Sequence, residues 1–132
     1  MNDRHILVTG SSSGIGRAIT EKLLAAGANV IGIARNPKTI KSTFGKYVTF
    51  EVDLSDLTNL GSSIKHILSL HPDLNGLVSN AGYGKFGGLE SFSTNQISSF
   101  IDVNLVSHMI IAREIIPYFK KKKRGDVVLI GS

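Results

Sequence analysis

The sequence predicts an α/β fold in which helices cover both faces of a doubly wound parallel sheet. Five short apolar segments alternate with segments of helical periodicity along the chain. A turn rich in glycine and serine separates the first apolar segment from the first helical one. The composition is that of an ordinary globular domain, since 42% of the 132 residues are hydrophobic and 19% are charged.

The predicted strands are the five apolar segments. They cover residues 5–9, 29–34, 47–52, 76–79 and 126–130. Helices between strands are typical of a parallel sheet that is buried on both faces. Right-handed crossovers then predict a Rossmann-type sheet with the strand order 3-2-1-4-5. No linker or repeat divides the chain, so we expect residues 1–132 to belong to one domain.

The predicted helices follow from apolar spacing and from residues that favour helix ends. They cover residues 14–26, 37–43, 56–70 and 94–121. Pro37 favours the short second helix, because proline is well tolerated in the first turn. Ser55 is the expected N-cap of the third helix. Pro117 should kink or tighten the last turns of the long fourth helix.

The turn after the first strand has the composition of a phosphate-binding loop. We expect a dinucleotide site formed by Gly10, Ser12, Ser13, Gly14, Ile15 and Gly16. Gly10 permits the tight turn, Gly14 leaves a phosphate room against the backbone, and Gly16 lets the helix pack closely. The helix start also offers unpaired N–H groups and a positive dipole end, which attract anions. The segment therefore predicts a site for a pyrophosphate.

The residues after the second strand predict which dinucleotide is preferred. An acidic residue there would accept a hydrogen bond from the 2′-hydroxyl of NAD. This chain instead has Arg35, and a guanidinium can pair bidentately with a 2′-phosphate. We therefore expect NADP as the cofactor, in preference to NAD. The alternative is that Arg35 is a solvated loop cation.

The basic residues of the chain are concentrated near its end. The formal net charge is +5, and Lys120 to Arg124 are five consecutive cations. Cations complement the dipole at the end of a helix, and no aromatic residues suited to base stacking alternate with them. We therefore expect no nucleic-acid partner. No apolar stretch reaches the roughly 18 residues of a membrane span, and there is no cysteine, so we expect a cytoplasmic protein without a membrane partner.

Four further segments, taken with the glycine turn, resemble the short-chain dehydrogenase/reductase family. They are Asp53-Leu54 after the third strand, Ser79-Asn80-Ala81-Gly82 after the fourth, Asn104 in the long helix, and Gly131-Ser132 after the fifth. The resemblance covers the whole chain. It implies an enzyme that transfers hydride between a nicotinamide coenzyme and a small-molecule alcohol or carbonyl substrate.

The resemblance also implies a role for each segment. Asp53 and Leu54 would hold the adenine, with the carboxylate accepting from its amino group, unless Asp53 is a helix cap or turn residue. The segment from Asn80 through Ala81 to Gly82 would border the nicotinamide ribose. Ser132 would bind the substrate oxygen, and Asn104 would support a water relay to a lysine. The alternatives are that Ser132 is an ordinary turn serine and that Asn104 is a polar residue on the solvated face of the helix.

Family members also use a tyrosine with a lysine four residues later. Tyr118 and Lys122 have this spacing, but we reject them because they precede Ser132 and lie far along the long helix. The chain thus resembles the first half of a family domain, and we expect it to be inactive alone. The alternative is a non-catalytic dinucleotide-binding or regulatory module.

Two further expectations concern association and metals. The resemblance implies a subunit interface on the long helix, so we expect a homo-oligomer formed through residues 94–121. The histidines lack metal-ligand spacing, and we expect them to be structural or exposed. They are His5, His66, His71 and His108.

Overall fold

The structure is a computed structural model, and it describes residues 1–131. They form one parallel sheet with the strand order β3-β2-β1-β4-β5, which confirms the predicted order. The strands are β1 (His5–Thr9), β2 (Asn29–Ala34), β3 (Tyr47–Glu51), β4 (Gly76–Ser79) and β5 (Asp126–Leu129). In the register of the sheet, Val8 of β1 lies between Gly32 of β2 and Val78 of β4.

The helices lie between the strands, as the alternating pattern predicts. They are α1 (Gly14–Ala25), α2 (Leu57–Leu70), α3 (Thr94–Ile101) and α4 (Ser107–Lys122), with a short 3-10 turn at Leu89–Ser91. The predicted long helix is continuous but not regular, because a π-helical turn over Asp102–Val106 joins α3 to α4. Pro117 lies inside α4, which continues through Lys122. No helix within residues 1–131 is long and apolar enough to cross a bilayer.

The core forms two layers, one on each face of the sheet. Side chains alternate along a strand, so Ile6 and Val8 of β1 face one layer and Leu7 faces the other. The first layer packs against Leu24 of α1. The second packs against α2 and α4, and Ile115 of α4 is fully buried there. This arrangement leaves the carboxyl ends of the strands to form the functional edge.

The predicted short helix over 37–43 is wrong, because these residues have no helical structure. Seven residues are too few to hold a helix without tertiary packing. The segment also contains Thr39, Ile40 and Thr43, whose β-branched side chains disfavour a helix. Only Ile40 among the three packs against the core, so no apolar face supports a helix there.

The predicted N-cap at Ser55 is also wrong, since the cap of α2 is Asp56. The carboxylate of Asp56 accepts from the Asn59 N–H, at 3.4 Å. Ser55 is instead held by Asp53, whose Oδ1 accepts from both its N–H, at 2.9 Å, and its hydroxyl, at 2.7 Å. A carboxylate is a stronger acceptor than a hydroxyl, and it takes both donors of Ser55.

Candidate functional site

One cleft runs along the carboxyl edge of the sheet and has a volume of about 1210 Å³. Because all five strands are parallel, the segments that leave their carboxyl ends meet at this edge. Most of the predicted site residues line the cleft: Gly10, Ser12, Ser13, Gly14, Ile15, Arg35, Asp53, Leu54, Asn80, Ala81, Gly82 and Asn104. Gly16 lies behind the cleft wall, and Ser132 lies outside the residues that the structure describes.

The glycine turn has two residues in the left-handed region of backbone space. Gly10 has φ +69° and Gly14 has φ +54°, values that favour glycine over residues with a Cβ. A Cβ placed on Gly14 would meet no atom within 4 Å, so the space beside it is open. The turn is tied to β2, because the N–H groups of Gly10 and Ser11 both donate to the Ile33 carbonyl oxygen, at 2.8 and 3.3 Å.

Gly16 allows the start of α1 to approach the turn. A Cβ there would overlap the Gly10 carbonyl oxygen and the side-chain amide of Asn80. Within residues 1–131 no side chain caps this helix start, since the N-cap Ser13 makes no side-chain cap hydrogen bond. The first-turn amides and the positive end of the α1 dipole therefore lie at the cleft without a capping group.

Thr9 joins the glycine turn to the segment that follows β4. Its buried hydroxyl oxygen accepts from the N–H groups of Asn80, at 2.9 Å, and Ala81, at 3.0 Å. The side-chain amide of Asn80 donates back to the Thr9 carbonyl, at 3.3 Å. Thr9 opens the glycine-turn motif but was not among the predicted site residues, although a hydroxyl directly before a glycine turn was the available signal.

Asp53 lies at the β3 end of the cleft and is held as an anion. The hydrogen bond from the Ser55 hydroxyl and then the one from the Ser55 N–H lower the pKa of the Asp53 carboxyl. The charge of Arg35 lowers this pKa further, while partial burial opposes the shift. Ser55 uses only Oδ1. Asp53 is thus a turn residue through Oδ1, and the residue lines the cleft.

Two cations lie in the cleft wall after β2. Arg35 and Lys38 both line the cleft, together with Asn36 between them. Arg35 was predicted from the sequence, whereas Lys38 was not; Lys38 lies in the segment wrongly expected to be helical. The available signal was the closeness of Lys38 to Arg35 in the chain. This part of the cleft combines two positive side chains with the anion of Asp53.

Asn104 bonds to the loop that follows β4. Its Oδ1 accepts from the Tyr83 N–H, at 3.0 Å, and its Nδ2 donates to the Tyr83 and Phe100 carbonyl oxygens, at 2.8 and 2.9 Å. Gly82 makes this approach possible, since a Cβ there would overlap Oδ1 of Asn104. The side chain is therefore engaged with the loop backbone and is not a polar group facing only solvent.

His108 lies one helical turn after Asn104 and reaches the same loop. It is 9% exposed and lines the cleft. Its Nδ1 lies 2.6 Å from the Ser79 hydroxyl oxygen, and its Nε2 lies 2.7 Å from the Ala81 carbonyl oxygen. All four histidines were predicted to be structural or exposed, so His108 was not distinguished from the other three. The signal that could have separated His108 is its i,i+4 spacing from Asn104.

The Tyr118 and Lys122 pair lies at the amino edge of the sheet, opposite the cleft. This position agrees with the reason for rejecting the pair as catalytic. The Tyr118 hydroxyl and the Lys122 ammonium both donate to the carbonyl oxygen of Pro72, which precedes β4. Burial, and then the negative charge of Asp73, raise the pKa of Tyr118. A raised pKa is opposite to what a catalytic tyrosine needs near neutral pH. Residues 1–131 also contain no cluster of His, Cys, Asp and Glu side chains suited to a metal ion.

Comparison with known proteins agrees with this geometry. The sequence profile of the short chain dehydrogenase family matches residues 4–132. The chain is 29% identical over its whole length to 3-ketodihydrosphingosine reductase of Bacteroides thetaiotaomicron, of which it covers 48%. It is 33% identical over 96% of its length to the 3-oxoacyl-[acyl-carrier-protein] reductase FabG of Salmonella typhimurium, of which it covers 53%.

The fold is shared with solved structures of the same kind. A metagenomic short-chain oxidoreductase, solved in complex with NADP, superposes with a TM-score of 0.90 and is 31% identical. The match covers 98% of this chain and 62% of that one. The chain spans about half the length of the curated relatives it matches. On the strength of the family profile, which accounts for nearly every residue, the chain belongs to the short-chain dehydrogenase family.

Proposed function

We propose that residues 1–132 form the coenzyme-binding part of an NADP(H)-dependent oxidoreductase, as one incomplete domain. The observation that carries this proposal is the uncapped start of α1, which opens beside Gly14 into the cleft. A pyrophosphate there would receive hydrogen bonds from backbone amides and would lie at the positive end of a helix dipole. The residues present fit such a group, because the φ angle and the open space at Gly14 leave room for it.

The order of the strands supports a placement for each half of the coenzyme. With the pyrophosphate at β1, the ribose that carries the 2′-group would lie toward β2. The adenine would lie near Asp53 and Leu54, where the second carboxylate oxygen of Asp53 can accept from its amino group. The nicotinamide half would extend the other way, toward Asn80, Ala81 and Gly82 after β4.

The preference for NADP rests on the charge of the cleft wall after β2. Arg35 and Lys38 provide two cations, and no carboxylate follows β2 in residues 34–38. A guanidinium can bind a 2′-phosphate through two N–H groups, and an ammonium adds a second positive charge. The 2′-hydroxyl of NAD gains nothing comparable from either side chain.

The chemistry follows from what hydride transfer demands. A bound coenzyme would supply hydride to a carbonyl carbon of a small substrate, or accept hydride from an alcohol carbon. The substrate oxygen must gain a proton in the first direction and lose one in the second, and in both it needs a hydrogen-bond partner. We assign the hydrogen bond to the substrate oxygen to Ser132. We propose that Asn104, which lines the cleft, supports a proton path.

The 132-residue polypeptide alone is proposed to bind the coenzyme without turnover. The only tyrosine with a lysine four positions later is Tyr118, and this pair lies at the edge opposite the cleft. A non-catalytic dinucleotide-binding module is the second candidate, and the same observation is its only support. Carbonyl reduction by the purified 132-residue chain would contradict the absence of turnover and the non-catalytic module, and it would leave the oxidoreductase assignment standing.

Self-association through α3 and α4 is part of the proposal. Exposed apolar side chains recur at helical spacing along α3, the π-helical turn and α4, namely Ile97, Ile101, Leu105, Met109 and Ile116. Leu105 and Met109 are 52% and 63% exposed, respectively. Contiguous apolar surface of this kind marks interaction sites in soluble proteins. A second copy of the chain is the proposed occupant, and sedimentation of Leu105→Glu against the unaltered protein tests it.

Calorimetric titration with NADPH and with NADH tests the coenzyme preference. We expect tighter binding of NADPH, and a loss of about tenfold for that coenzyme alone in Arg35→Ala, from the value of a charge-assisted hydrogen bond. Arg113→Ala is the matched control, because it removes one exposed cation outside the cleft lining. Tighter binding of NADH, or equal effects of the two variants, would overturn the NADP assignment.

A further inference from the structure

His108 makes two hydrogen bonds that define the state of its ring. A carbonyl oxygen can only accept, so Nε2, which faces Ala81 at 2.7 Å, carries the hydrogen. In the neutral ring Nδ1 then accepts from the Ser79 hydroxyl, at 2.6 Å. The side chain is nearly buried, and both of its nitrogen atoms are satisfied. The ring is thus fixed in orientation and tautomer.

The partner of His108 belongs to the floor of the cleft. The Cα and Cβ atoms of Ala81 lie 3.1 and 3.4 Å from the position that a Cβ would take on Gly10. Ala81 is therefore packed directly against the glycine turn. It lies on the β4 side of the turn, which the proposed function assigns to the nicotinamide half of the coenzyme. A shift of the Ala81 carbonyl would move that part of the floor.

Asn104 and His108 hold this loop from one face of the long helix. They are four residues apart across the end of the π-helical turn, and both side chains reach the loop that follows β4. Asn104 bonds to the backbone of Tyr83, and His108 bonds to the backbone of Ala81. Gly82 lies between the two attachment points. The path of residues 81–83 is thus set by contacts from the helix as well as by β4.

We propose that His108 is a positioning residue for the nicotinamide half of the coenzyme. It acts through Ala81, whose carbonyl it holds with its Nε2–H, and Ser79 keeps the ring in that tautomer. This inference rests on the proposed function. It differs from a purely structural role, because loss of His108 would impair one half of the cleft and leave the adenosine half intact.

The test compares variants of the natural full-length polypeptide. His108→Gln can keep a donor near the Nε2 position, whereas the shorter side chain in His108→Asn cannot reach Ala81, and His108→Leu has no polar atom. Each variant is titrated with NADPH, which occupies both halves of the cleft. Each is also titrated with 2′,5′-ADP, which carries only the adenosine half and its phosphates.

We expect His108→Leu and His108→Asn to weaken NADPH binding by several-fold and at most about tenfold, because a hydrogen bond worth about 1 kcal/mol no longer holds Ala81 in the binding geometry. Binding of 2′,5′-ADP should stay within about twofold, and His108→Gln should restore most of the NADPH affinity. If His108→Leu fails to fold, the comparison of NADPH binding by His108→Gln and His108→Asn is sufficient to test the role of His108. Unchanged NADPH binding in His108→Asn, or equal loss of both ligands, would overturn the role of His108.

The unaltered protein separates failure of this inference from failure of the proposed function. If it binds neither NADPH nor 2′,5′-ADP, the proposed coenzyme site is wrong and the role of His108 falls with it. If it binds both, and the Gln and Asn variants bind NADPH equally well, only the role of His108 is wrong.

Discussion

Tyr47 on β3 donates a hydrogen bond across β2 to the hydroxyl of Ser11 in the glycine turn, at 3.0 Å. Gly32 of β2 lies beneath this contact, and a Cβ there would overlap Ser11 and crowd the Tyr47 ring. Ser11 is fully buried. The outer strand β3 thus supports the turn that we assign to the coenzyme pyrophosphate, through a gap that only glycine leaves.

Gly32→Ala should therefore destabilise the protein by about 1–3 kcal/mol, the usual cost of inserting a methyl group into a packed site. The measurement is urea-induced unfolding. Gly84→Ala is the matched control, because a Cβ on Gly84 would meet no atom within 4 Å. Equal unfolding free energies for the two variants would contradict the packing described here.

Tyr47→Phe removes the hydroxyl but keeps the ring. We expect a loss of about 1 kcal/mol in the free energy of unfolding, the net value of one hydrogen bond. Ser11→Ala should cost a similar amount, and the double variant should cost less than the sum, because both changes break the same contact. Strict additivity would show that the two residues do not interact.

Lys123 ends α4 with φ +54°, in the left-handed region. This conformation costs a residue with a Cβ about 1–2 kcal/mol. Glycine avoids that cost, but it loses more conformational entropy on folding, which offsets part of the gain. Lys123→Gly should therefore raise the free energy of unfolding by about 0.5–1 kcal/mol. Lys121→Gly, inside the same helix, should lower it by about 1 kcal/mol. A loss of stability in both variants would contradict this cap.

The pKa of His71 is lowered from 6.5, first by burial and then by the charge of His5. Below about pH 6.5 the unfolded chain therefore binds a proton more readily than the folded one. The contribution of His71 to stability is complete above that pH and is lost as the pH falls through the folded-state pKa. His71→Gln should make the free energy of unfolding fall less between pH 7 and pH 5. An unchanged slope in urea titrations at these pH values would refute the assignment.

Much of the fold was predictable because local patterns determine it. The apolar segments mark the strands, and the placement of Gly10, Gly14 and Gly16 marks the first crossover. The predicted helix over 37–43 fails because seven residues without an apolar face are too few to hold a helix. The other error occurs where competing donors decide the outcome. Asp53 takes both donors of Ser55, which leaves Asp56 to cap α2. Such competition is invisible in residue propensities.

The same reasoning explains which site residues were found. Most of the predicted site residues follow a strand directly, since every strand ends at the cleft, and Asn104 was identified through the family resemblance. Lys38 was overlooked because it lies beyond the first turn of its loop. His108 was not singled out because it follows no strand and reaches the cleft from α4, where only its spacing from Asn104 marks it.

The central claim is that the amides at the start of α1 bind the pyrophosphate of a nicotinamide coenzyme. The most direct test is calorimetric titration of NADPH into the natural full-length polypeptide and into its Gly14→Val variant. A Cβ on Gly14 would meet no atom of the protein within 4 Å but would project into the open space beside the helix start, at a φ of +54°. We predict that the unaltered protein binds NADPH and that the variant, still folded by circular dichroism, binds it at least about tenfold more weakly. Equal affinities in the two proteins, or binding of neither NADPH nor NADH by the unaltered one, would contradict the account.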